Sequence, residues 1–211
     1  MGLKIDLHVH TCYSGDSFIT FDELIRYAKK RGLDGVAVTD HNTVEGALKL
    51  RTNEILVVPG IEVSTLNGHL LGINVTTPIP SRLGMEETIE KIHEAGGVAV
   101  AAHPTAFYKS PATRKVTYYD AVEVINASSF MFPVLTHYSR KFAERLQLPQ
   151  TGGSDSHYAP EIGSAYTVVD ADPDVDEIAQ AIKKGAVFAA GGAVPWKTRL
   201  GRTALRFRSS F

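Results

Sequence analysis

KIDLHVHTCYSGD, residues 4–16, begins as a strand. Ile5, Leu7 and Val9 alternate with Asp6, His8 and His10. That period of two sets His8 and His10 on one face. Two imidazoles so placed at a strand end can share one metal ion. The same spacing also suits two hydrogen-bonded core histidines, so the choice rests on whether the arrangement recurs along the chain.

It does recur. Gly35 to Asp40 (GVAVTD) reads as a buried strand with His41 at its end. Glu54 to Val63 (EILVVPGIEV) is a strand bent at Pro59-Gly60, with Glu62 near its exit. His69 to Val75 is a further strand, and Val98 to His103 (VAVAAH) is a buried one ending in histidine. Ala121 to Asn126 follows, then Gln150 to His157 (QTGGSDSH), which ends in Asp155 and His157, then Ala165 to Val169. Helical patterns stand between them. Thr20 and Glu23 form a capping box ahead of the apolar positions Phe21, Leu24, Ile25 and Ala28, and Gly32 stops that helix. Thr43 to Leu50 can be a short helix. Met85, Ile89 and Ile92 mark another, Val134 to Leu148 a longer one, and Val175, Ile178 and Ile182 a last one before Gly185.

Alternating strands and helices with short connections predict an α/β fold with a largely parallel sheet. Seven or eight such units in one domain predict a closed, TIM-barrel-like structure. His8, His10, His41, Glu62, His103, Asp155 and His157 all fall at or just past the C-terminal ends of different strands, which meet on one face of a barrel. Left empty, that set would repel or desolvate its own members. Divalent cations resolve the conflict, since neutral imidazole and carboxylate are ligands for zinc, manganese and iron. His69 opens its strand, while His93 and His137 fall in helices and are expected on the surface.

Composition bounds the rest. The chain has 211 residues, with 44% hydrophobic and 21% charged residues, as in an ordinary globular domain. A net charge of −1 exerts no general pull on nucleic acid or membrane. The lone Cys12 gives no disulfide framework, and Met1 leads straight into the first strand, so a cytoplasmic setting is expected. No apolar run matches a membrane span. No acidic residue follows Glu177, while Lys183, Lys184, Lys197, Arg199, Arg202, Arg206 and Arg208 do. Residues from about 193 to 211 therefore read as a solvated basic tail, with a nucleic-acid-binding arm as the rival reading.

DLHVHTCYSGD, VTDHNT, PGIEVS, AHP and GSDSH, in this order, resemble the motifs of the PHP (polymerase and histidinol phosphatase) superfamily from Ile5 to about Val169. The resemblance implies a distorted (β/α)7 barrel and a metal-dependent phosphoesterase with two or three divalent ions, Zn, Mn or Fe. It implies that His8, His10, Glu62 and Asp155 hold one ion. Glu62 bridges to a second, also held by His103, and Asp16, His41 and His157 hold a third. Asp16 stands where some relatives carry histidine. Asn126 stands where some carry a histidine ligand, so the second ion is expected to be weakly held, replaced by water, or absent.

Paired ions suit phosphoester hydrolysis because they acidify water and neutralise phosphoryl oxygens. The expected catalytic residues are Glu62 and Asp155, seating a metal-bound hydroxide, and His69, protonating the leaving alkoxide, a task the third ion could serve instead. Lys109, Arg114 and Lys115, beside Phe107 and Tyr108, are the expected substrate-binding residues. The expected substrate is a small phosphorylated molecule, nucleotide or sugar-like. A nuclease and a metal-stabilised scaffold are the other readings, and the sequence does not fix an oligomeric state.

Overall fold

The computed structural model describes residues 2–106 and 118–209. Its strands are β1 (Leu3–Val9), β2 (Gly35–Val38), β3 (Leu56–Thr65), β4 (Gly68–Ile73), β5 (Val98–Ala101), β6 (Ala121–Asn126), β7 (Gln150–Gly153), β8 (Ala165–Val169) and β9 (Val187–Gly191). Its helices are α1 (Phe21–Lys30), α2 (Glu45–Lys49), α3 (Met85–Glu94), α4 (Phe132–Leu146), α5 (Val175–Lys184) and α6 (Trp196–Ser209). Local chemistry sets the ends. Thr20 and Glu23 cap α1 reciprocally, as the sequence predicts. Asp174 accepts the Asp176 and Glu177 amides at the start of α5, and Gly185, at φ 76°, ends it.

The strands form one sheet in the order β7-β6-β5-β4-β3-β2-β1-β8-β9. The sheet curls until the segment after β7 meets β1, giving the expected barrel. There Val9 bridges Ser156 in parallel. The Asp155 amide donates to the His8 carbonyl at 2.8 Å, and the His10 amide to the Ser156 carbonyl at 3.1 Å. Gly153 permits this closure, because a Cβ there would lie 2.5 Å from the His8 Cβ. The buried Asp6 carboxylate fastens the seam by accepting the Ser154 amide at 2.8 Å and the Gly163 amide at 2.9 Å.

The sheet is less parallel than the alternation predicts. β4 runs antiparallel to both β3 and β5, and β8 runs antiparallel to both β1 and β9. Only Leu66 and Asn67 separate β3 from β4, and two residues make a hairpin but not a crossover. β9 is a strand beyond those expected. The helices cover the barrel over apolar clusters centred on Leu24 and Ala28 of α1, Ile89 and Ile92 of α3, Phe142 of α4, and Ile178 and Ile182 of α5. The expected basic tail falls largely within a helix. Residues 196–209 are helix α6, and it folds back over the barrel mouth.

Candidate metal centre

Glu62 is the hub of the mouth. It leaves β3 fully buried, and five imidazoles reach it. Its Oε1 lies 2.9 Å from His69 Nδ1 and 3.1 Å from His103 Nε2. Its Oε2 lies 3.1 Å from His41 Nδ1, 3.2 Å from His10 Nε2 and 3.3 Å from His8 Nε2. Asp155 Oδ1 faces the rings of His10 and His8 at 3.4 and 3.6 Å. His8, His10, Glu62 and Asp155 thus offer ligand atoms all within 4.8 Å of one another. A second such group is His10, Asp16, His41 and His157, and a third is His41, Glu62 and His69.

The donor set fits divalent cations. His8 Nε2 and His10 Nε2 face each other at 3.1 Å, and Glu62 Oε2 and His41 Nδ1 have no partner in hydrogen-bond geometry. Imidazole nitrogens and carboxylate oxygens that converge on one point offer the lone pairs a cation requires once the rings are neutral. The strain agrees, since His103 at φ 31° and Asp155 at φ 53° both occupy the left-handed region.

Charge is concentrated here. Burial opposes the charged form of His10, but its contacts with Asp155 and Glu62 outweigh it and hold the ring at about 9. For His8, burial is likewise outweighed by Glu123, Glu62 and Asp155, and its pKa rises well above the usual histidine value. Glu62 is buried too, yet the surrounding imidazoles hold its carboxyl well below the usual range. His41, where burial dominates, is pushed down to about 4. Burial pushes the Asp6 carboxyl up to about 6.

The predicted ligands therefore assemble as a group. His69 joins them for a reason that parallel-barrel logic misses. β4 is antiparallel, so its N-terminal end lies beside the exit of β3, where His69 pairs with Ser64. His93 and His137 are on the surface, as expected. Lys109, Arg114 and Lys115 lie outside the described residues.

Several site residues went unread in the sequence. Buried Glu123 on β6 holds His8 Nδ1 at 2.8 Å and accepts the His103 amide at 2.8 Å. Its signal was a lone charge in the apolar run Ala121–Ile125. Asn126 turns its amide nitrogen to Glu123 (3.0 Å) and Asp155 (3.2 Å), so it fixes carboxylates where some relatives place a ligand. Ser14 Oγ sits 3.1 Å from His10 Nδ1 and accepts the His41 amide at 3.1 Å. Buried Glu161 accepts the His157 amide at 3.1 Å. Arginines of α6, which no local pattern linked to the site, wall one side of the cleft.

A curled α/β barrel with histidines and carboxylates converging at its mouth is an arrangement suited to metal-dependent hydrolysis. The PHP domain family matches residues 6–145 and the PHP-associated family residues 137–187, so the chain belongs to the PHP family. An uncharacterized protein of Methanocaldococcus jannaschii is 41% identical over 116 residues, 48% of this chain and 68% of its own length. The phosphoribosyl 1,2-cyclic phosphate 1,2-diphosphodiesterase of Eggerthella lenta is 33% identical over 99 residues, 42% of this chain and 37% of its own length. In fold, the chain resembles a two-domain Bacteroides vulgatus protein containing a predicted PHP-like metal-dependent phosphoesterase. The TM-score is 0.70 at 19% identity, covering 91% of this chain and 65% of that one. No helix among the described residues is long and apolar enough to cross a membrane.

Proposed function

We propose that the protein hydrolyses a small phosphate ester, of nucleotide or sugar-like type. The observation that carries this is buried Glu62, reached by five imidazoles at 2.9–3.3 Å, two of which, His41 and His69, line a cleft. His8, His10, Glu62 and Asp155 would hold one cation. Asp16, His41 and His157 would hold another beside it, and His103 with Glu62 would contribute to a further position. Bound divalent ions supply Lewis acidity, acidifying water and neutralising phosphoryl oxygens.

The chain's own groups do the rest. Glu62 and Asp155 seat and orient the attacking water or hydroxide. His69 lines the cleft with Nδ1 fixed to Glu62 at 2.9 Å, and it protonates the leaving alkoxide. Glu123 keeps the His8 ring in one tautomer, with Nε2 turned to the site. A cleft of about 370 Å³ suits a small molecule rather than a duplex. The diesterase activity named for the Eggerthella relative supports phosphate-ester chemistry. The cationic α6 is the feature of this chain that favours the alternative, a nuclease.

A panel of phosphate esters, including p-nitrophenyl phosphate, nucleoside monophosphates, sugar phosphates and single-stranded oligonucleotides, tests this with Mn²⁺ or Zn²⁺ added back. Turnover of a small ester that chelation abolishes is expected. Turnover of oligonucleotides alone would overturn the small-substrate reading, and no turnover with any ester would overturn the enzyme's proposed chemistry.

A further inference from the structure

α6 presents Arg199, Arg202 and Arg206 at i, i+3 and i+7, one helical face, and all three line the cleft opposite His41, His69 and His157. Two of them anchor the helix. The Arg199 guanidinium donates to the carbonyls of Ala127 (2.9 Å), Ser128 (3.0 Å), Ser129 (3.0 Å) and Val194 (3.1 Å). Arg202 pairs with buried Glu161 at 3.2 Å, and Glu161 in turn accepts the amide of His157. α6 is thereby tied to the loop after β6 and to the backbone of a candidate ligand.

That anchoring sets the place of Arg206. It is exposed at the cleft rim, and its Nη2 donates to the Asp16 carbonyl in a long 3.4 Å bond. The side chain of the same Asp16 reaches His157 Nε2 at 3.1 Å. Arg206 therefore stands beside the ligand cluster, with a planar fork of donors whose geometry matches phosphate or carboxylate oxygens. Beside a centre that draws phosphate, a permanent cation on the wall adds a second point of attraction and selects among anionic ligands.

We propose that Arg206 is a specificity-determining residue that binds an anionic oxygen of the substrate. The proposal deepens the phosphoesterase reading and rests on it. The anion is either the scissile phosphoryl group or a second acidic group on the same molecule. Two probes of similar size separate these sources: glycerol 3-phosphate carries a phosphate alone, and 3-phosphoglycerate carries a carboxylate as well.

Calorimetric titration of both probes onto the metal-replete protein is the test, with Arg206→Gln, Arg206→Lys and the distant Lys184→Gln as control. Arg206→Gln is expected to weaken binding about ten- to a hundredfold, the range of a hydrogen bond to a charged group. Arg206→Lys recovers part of this, and metal content and circular dichroism match the wild type. Equal weakening of both probes assigns Arg206 to the phosphoryl group, and weakening of 3-phosphoglycerate alone assigns it to a second anion. Unchanged binding of both probes, or no binding to the wild type, overturns the proposal. If no ester in the panel is hydrolysed while Arg206-dependent binding persists, the phosphoesterase reading fails and the anion site stands. Hydrolysis with Arg206-independent binding has the opposite meaning.

Discussion

Arg202→Met tests whether α6 is part of the folded barrel. In the wild type, Arg202 Nη1 lies 3.2 Å from Glu161 Oε2, and the side chains are 19% and 0% exposed. At that separation the attraction is about 5 kcal/mol for an effective dielectric constant of about 20, and desolvation offsets much of it. A net coupling of about 2 kcal/mol remains as the expectation. Removing Arg202 alone costs more, about 3 kcal/mol, because the Glu161 charge stays buried with the His157 amide as its remaining hydrogen-bond donor. In a chain of this size that lowers Tm by roughly 6–12 °C.

The cost depends on pH. Burial raises the Glu161 pKa in the wild type, and Arg202 opposes the rise. Without Arg202 the folded-state pKa climbs further above the unfolded value. The folded variant then binds more protons than the unfolded chain, so its stability falls as pH rises through that window. The penalty is therefore expected to be larger at pH 7.5 than at pH 5. Urea unfolding of Arg202→Met, Glu161→Gln and the double variant at both pH values gives the coupling directly. A coupling below about 0.5 kcal/mol, or a penalty that grows toward acid, would refute the reasoning.

Other substitutions probe the centre itself. Glu62→Gln is expected to lose bound metal and nearly all turnover while keeping the native circular dichroism, because a neutral amide cannot serve two cations; elemental analysis and a rate assay check both. Asp16→Ala should lose one metal equivalent and most activity, measured by metal titration. Glu123→Gln should weaken metal affinity about 10–100-fold by loosening the His8 ring, as for groups that orient a ligand. Gly153→Ala places a methyl 2.5 Å from the His8 Cβ, and a stability loss of about 1–3 kcal/mol or more is expected on denaturant titration.

The sequence by itself determined the residues whose roles follow from local pattern. Alternation in KIDLHVH fixed which side chains of β1 face inward, and the capping box of α1 and the glycine after α5 fixed their ends. Histidines and carboxylates at successive strand ends identified the candidate ligands, because a parallel barrel gathers those ends whatever the loops do. Tertiary structure alone decided what depends on contacts between distant segments. A two-residue turn reversed β4 and brought His69 to the mouth. Glu123 looked like a stray charge in an apolar strand until folding set it 2.8 Å from a histidine 115 positions away. The basic run after Glu177 looked like a solvated tail because charge pattern records sign and spacing only. Its place over the cleft is set by four carbonyls around Arg199 and a buried carboxylate facing Arg202, contacts spanning 41 or more residues apart from the carbonyl of Val194.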